Sequence, residues 1–137
     1  MKENIMSGKF LPLLAGAAAV LAVPASAGPR LSHEAQLQRA LEGRVAGEPV
    51  DCVSLRTARN SRIINGTAIV FDAGSTIYVN RPRSGAESLN DWDTQVTHPL
   101  SDRLCSIDTV KMVDPVTGHL SGVVFLGDFV PYRRARN

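Results

Sequence analysis

Two cysteines (Cys52 and Cys105), three histidines (His33, His98 and His119) and one acidic stretch, Asn90-Asp91-Trp92-Asp93-Thr94-Gln95, hold most of the reactive chemistry of this 137-residue chain. The histidines do not pair at metal-ligand spacing and no H-E-x-x-H occurs, so no metal site is expected. Each stands near a helix start, a proline or a turn, which favours surface positions. The chain has no G-x-S-x-G elbow, phosphate-binding loop or dinucleotide fingerprint, so no cofactor is expected and no catalytic residue is assigned. A Ser/His/Asp set assembled in space stays open, because such sets are not tied to sequence spacing. In the acidic stretch, Asp91, Asp93 and Gln95 alternate as calcium-loop ligands do, but the loop glycine and the distal glutamate are missing. Trp92 has two readings: an anchor for a partner, or the commoner plug in a core. Arg81-Pro82-Arg83 precedes that stretch. Were the two loops to fold together, Arg81 and Arg83 would face Asp91 and Asp93, as internal salt bridges or as a pocket for an anion or carboxylate. Arg81, Arg83, Asp91, Trp92 and Asp93 are therefore the candidate binding residues.

What the cysteines do depends on the compartment. Lys2 and Lys9 give a basic start, Phe10 to Val23 carries no charge, and Pro24 leads to Ala25-Ser26-Ala27. This is the pattern of a secretory signal peptide over residues 1–27, with cleavage before Gly28. The apolar run is shorter than the roughly 20 residues of a spanning helix, so a membrane anchor is the weaker reading. No cysteine near the cleavage site invites lipid attachment, and no twin arginine precedes the apolar run. The expected product is residues 28–137, the length of one ordinary domain, with no further membrane segment and a periplasmic or secreted location. Two cysteines in an exported chain pair by default. Such a bridge closes a loop of about 50 residues, worth about 4 kcal/mol on the chain-entropy account. A reactive thiol is the alternative, but there is no C-x-x-C spacing and no activating partner nearby in sequence.

Charge narrows the partners. Lys+Arg is 15 against Asp+Glu 13, a formal net charge of +2, without the concentrated basic surface of a nucleic-acid binder. Beyond the leader, Lys111 is the only lysine and every other cation is arginine. Arginine suits bidentate anion recognition, although solvated charge is its ordinary fate.

The elements that must position these residues begin with Ser32, a helix cap, and Glu34, favourable in a first turn. Leu37, Ala40, Leu41 and Val45 recur at helical spacing, predicting an amphipathic helix over about 33–44. Arg56, Arg59 and Arg62 recur every third residue, on a short helical segment or an irregular link. Asn65-Gly66 is a strong turn signal between Ile63-Ile64 and the strand formers Thr67 to Phe71, and Asp72 to Ser75 turns the chain into a second strand, Thr76 to Asn80. Arg81 to Asn90 reads as a loop. Thr94 to Thr97 fits a short strand and Leu104 to Val113 an alternating one. Gly122 to Val130 is expected as the last strand, with a bulge at Gly127, and Tyr132 to Arg136 as a solvated tail. The sum is an α+β domain: an N-terminal helix on a twisted antiparallel sheet of four to six strands, able to curl into a partial barrel.

Several segments also resemble a group of small exported proteobacterial proteins classed as a domain of unknown function. They are Leu41 to Gly47, Pro49 to Cys52, Ile63 to Val70, Tyr78 to Pro82, Leu104-Cys105 and Leu126 to Tyr132. The resemblance spans most of residues 28–137. It implies a periplasmic or secreted bacterial protein with Cys52 and Cys105 paired, and it brings no activity. The first functional expectation is a non-enzymatic binding or structural domain at the cell envelope, whose partner is a periplasmic protein or envelope component. The alternatives are a small hydrolase or lyase, expected to place His98 or His119 in a pocket beside a carboxylate and a serine, and an inhibitor or partner module exposing Trp92 or Tyr78 on an apolar patch.

Overall fold

The computed structural model describes residues 27–136. All but Ala27 of the expected leader lies outside them. The elements, in order, are α1 (His33–Ala40), β1 (Arg44–Ala46), β2 (Cys52–Ser54), β3 (Asn60–Ile64), β4 (Ala68–Ala73), β5 (Thr76–Asn80), a 3-10 turn (Ala86–Ser88), β6 (Thr94–Val96), β7 (Arg103–Cys105), β8 (Thr109–Val113), β9 (Leu120–Phe125) and β10 (Phe129–Arg134). The strands form three antiparallel sheets: β1-β10-β5-β4-β3, β6-β8-β9 and β2-β7. Among the described residues the domain is thus α+β only in the sense of one short helix beside a structure that is mostly sheet, and the sheets there stay open and form no barrel.

The central hairpins are local. Ile64 pairs with Ala68 across a three-residue connection, closed by the Thr67 N–H donating to the Ile64 carbonyl at 2.9 Å. Gly66 alone takes the left-handed conformation there (φ +62°), so the two-residue turn that Asn-Gly usually signals does not form and β4 begins at Ala68, not Thr67. Ala68, Ile69, Val70 and Phe71 are all buried because both faces of β4 are covered. On one face Leu37 of α1 and Leu41, which caps its end, pack with Ile64, Ala68, Val70 and Val79. On the other, Ile63, Ile69, Phe71 and Phe129 meet Val110, Met112 and Val124 of the three-stranded sheet and Val53 and Leu104 of the two-stranded one. Phe71 and Phe129 meet edge-on, with ring centres 5.6 Å apart.

Four expectations are corrected. The helix stops at Ala40, not 44, because the chain turns so that Arg44 can pair with Arg134 in β1. The strand expected over Leu104 to Val113 is two strands in different sheets, separated where Asp108 folds back to accept the Cys105 N–H at 2.7 Å. Gly122 to Val130 likewise divides into β9 and β10. The residues read as a tail, Tyr132 to Arg134, are strand, because β10 runs between β1 and β5. Arg56 and Arg59 lie on an irregular link, whereas Arg62 belongs to β3.

The β9–β10 break is fixed by Asn80, which is fully buried. Its Nδ2 donates to the Gly127 carbonyl at 2.7 Å and its Oδ1 accepts the Gly127 N–H at 3.0 Å. The side-chain amide thus satisfies both backbone groups of a buried corner, as a neighbouring strand would. Only glycine fits at 127, because a Cβ there would run into the Arg81 carbonyl.

Candidate functional site

Cys52 and Cys105 form a disulfide, at directly opposed positions of β2 and β7. The adjacent position is hydrogen-bonded, Ser106 N to Asp51 O, and so is the one three places along, Leu55 N to Asp102 O, an alternation that makes the cysteines a non-hydrogen-bonded pair, where side chains approach most closely. Each strand has three residues and only the other as partner, so the bridge fastens a sheet too small to persist alone.

The five candidate binding residues do not assemble. Arg81 turns to α1 and grips Glu34 with both terminal nitrogens, Nη2 to Oε1 at 2.7 Å and Nη1 to Oε2 at 3.1 Å. This pairing, with a further hydrogen bond from Gln38 and the charge of Arg81, holds the Glu34 carboxyl below its ordinary range against a smaller opposing effect of burial. Glu34 in turn raises Arg81. Arg83 donates through Nε to the Leu126 carbonyl at 2.8 Å. Asp91 is clasped by Asn65, whose Nδ2 donates to Oδ1 at 3.0 Å and whose Oδ1 accepts the Asp91 N–H at 2.8 Å. Asp93 is half-buried beside the Asn90 turn. Trp92 is 81% exposed, so it is not a core plug. Tyr78 is half-buried against the core. Among the described residues no group of three or more His, Cys, Asp or Glu could hold a metal ion, and no helix is long and apolar enough to cross a membrane.

A different constellation is brought together by α1. A helix is about 10 Å wide and this one about 12 Å long, whereas five strands span roughly 20 Å. α1 therefore cannot cover its sheet face. Glu34 ties its start to Arg81 after β5, its end leads into β1, and the helix packs chiefly along β3, leaving a cleft between the two. A trough of about 410 Å³ results. Leu31, Gln36, Arg39 and Ala40 form one wall, and Arg62, Ile63, Ile64 and Asp91 the floor and far side. Beyond Arg62 the same face continues as a corner of about 210 Å³ over Val70 and Ile77, rimmed by Asn60, Ser61 and Asp72. Register confirms the common face: Arg62 pairs with Val70, and Val70 with Val79 beneath the helix.

The charges of this trough are unequal in their commitments. Asp91 is held by Asn65, and Asp72 Oδ1 accepts the Gly74 N–H at 2.9 Å. The two salt bridges among the described residues, Arg56–Asp102 and Arg81–Glu34, use neither Arg39 nor Arg62. Neither Arg39 nor Arg62 is among the candidate binding residues read from the sequence, which places Arg62 with Arg56 and Arg59 on a short helical segment or irregular link. The available signal was alternation: Arg62 precedes the Ile63-Ile64 pair and so shares a face with Ile64.

A second cavity, of about 310 Å³, lies on the three-stranded sheet beside the disulfide-linked strands. His98, Asp108, Thr109 and Lys111 line it with Val96 and Ile107. It has a histidine and a carboxylate but a threonine in place of serine, and Asp108 Oδ2 is occupied by the Cys105 N–H. His33 and His119 are exposed elsewhere.

No family model, curated protein or solved structure matches this chain.

Proposed function

We propose that this chain is an exported bacterial binding domain, non-enzymatic, working in the periplasm or outside the cell. The observation that carries the reading is the trough beside α1: a preformed concavity lined by Ile64 and by two arginines, neither of which takes part in a salt bridge among the described residues. Its volume lies within the range of small-ligand sites. The Cys52–Cys105 disulfide supports the location, since structural disulfides persist in oxidising compartments. The resemblance of its segments to small exported proteobacterial proteins points the same way. A second reading, a hydrolase or lyase, rests on His98 and Asp108 sharing a cavity.

Thermal denaturation of the oxidised protein against envelope-derived small molecules separates the two. A ligand at ten times its Kd adds about 1.4 kcal/mol, which raises the melting temperature of a domain this size by roughly 5 °C or more. Such a shift with no turnover of the ligand supports the binding domain. Hydrolysis of ester or amide substrates that is lost in His98→Ala supports the enzyme instead. Intact mass from the periplasmic fraction of a Gram-negative host should begin at Gly28.

A further inference from the structure

We propose that the trough between α1 and β3 binds an amphipathic carboxylate, with the head group between Arg39 and Arg62 and the apolar chain lying toward Val70 and Ile77. The inference rests on the binding-domain reading and adds the ligand class. Three observations and one chemical preference argue for it. Arg39 and Arg62 come from different elements yet line one cavity, and neither takes part in a salt bridge among the described residues. The planar guanidinium is the side chain best matched to a carboxylate. Asp91 lines the same cavity and Asp72 rims its extension, and each carboxylate already accepts a hydrogen bond, Asp91 from the Asn65 side chain and Asp72 from the Gly74 N–H. These two negative charges disfavour a doubly charged phosphate head, which both would repel, and leave a singly charged head as the better match. Finally, Arg62 lines both the trough and the corner, so a head group held there leads directly onto the apolar surface of Val70 and Ile77.

The orientation follows from burying each part of the ligand against its like. The carboxylate exchanges water for two charge-assisted hydrogen-bond donors, while each methylene covered by the floor contributes hydrophobic stabilisation. A free carboxylate without a chain gains only the first, and an amine with the same chain meets two like charges.

Calorimetric titration of the purified, oxidised protein with octanoate, acetate and octylamine tests this. Fluorescence of Trp92, the sole tryptophan and the neighbour of Asp91, gives a second readout. Octanoate should bind saturably. Acetate and octylamine should each bind at least about tenfold more weakly. Arg39→Gln and Arg62→Gln should each weaken octanoate about tenfold, while Arg103→Gln, exposed at the start of β7, should not change it. Both trough arginines are exposed, so their variants should keep the parent's melting temperature and remain interpretable. Equal binding of octylamine, or octanoate binding unchanged in both trough variants, overturns the carboxylate site but leaves a binding domain. Absence of saturable octanoate binding overturns the carboxylate site too, and the broader reading then stands or falls with the wider ligand panel.

Discussion

At the residue scale, the most constrained polar group is Asn80. It is fully buried and pairs both backbone groups of Gly127, with one bond to its carbonyl and one from its N–H. Asn80→Ala removes both bonds at once and leaves two buried backbone groups unpaired. The expected cost is about 2–4 kcal/mol, read from urea unfolding; a loss below about 1 kcal/mol would mean that water or backbone movement replaces the amide. Glu34 and Asp114 make a pH prediction. Arg81 lowers the Glu34 carboxyl, and the N–H groups of Thr117 and then Val116 lower that of Asp114. Both carboxyls bind protons more tightly in the unfolded chain, so their stabilisation is complete above the ordinary carboxylate range and is lost as pH falls through the folded values. Both are solvent-exposed, so the effect is modest and weakens with salt. Glu34→Gln should shrink the drop in urea midpoint between about pH 6 and about pH 3 relative to the parent chain. An unchanged drop would show that the Arg81 pairing does not persist in solution.

At the element scale, the smallest sheet depends most on covalent help. β2 and β7 contribute three residues each, and the bridge between them spans 53 positions. The double variant Cys52→Ser/Cys105→Ser should lose about 4 kcal/mol on the chain-entropy account, measured by urea unfolding against the oxidised parent. A loss under about 1 kcal/mol would mean that Val53 and Leu104 hold the strands in place without the bridge. The same scale explains what could be read from sequence. The β3-β4-β5 meander was legible because each strand pairs with its neighbour through a short turn. β10 was not, because its partners β1 and β5 lie far away in the chain, and Arg133 and Arg134 resemble a tail when their pairing with Thr76 and Arg44 is unseen. The β7–β8 break hid behind good alternation, since what separates the strands is a turn held by Asp108. The candidate site was the least legible. Arg81 and Asp91 looked like partners across a loop, whereas Arg81 is drawn to Glu34 by helix packing. Arg39 and Arg62 become neighbours only when α1 settles on the sheet.

At the scale of the whole molecule, one short helix on a five-stranded sheet leaves part of a sheet face unfilled, and the chain puts arginines there in place of apolar cover. A domain built for stability alone would close that face with a longer helix or larger side chains. On the proposed reading, the cleft between α1 and β3 serves binding and the covered remainder of that face serves support. The most direct test is to titrate the isotope-labelled, oxidised protein with octanoate and follow backbone amide shifts residue by residue. Saturable shifts concentrated in α1, β3 and the Val70–Ile77 corner, centred on Arg39 and Arg62, are the expected result. Shifts centred instead on His98 and Lys111, or spread without saturation, would contradict it.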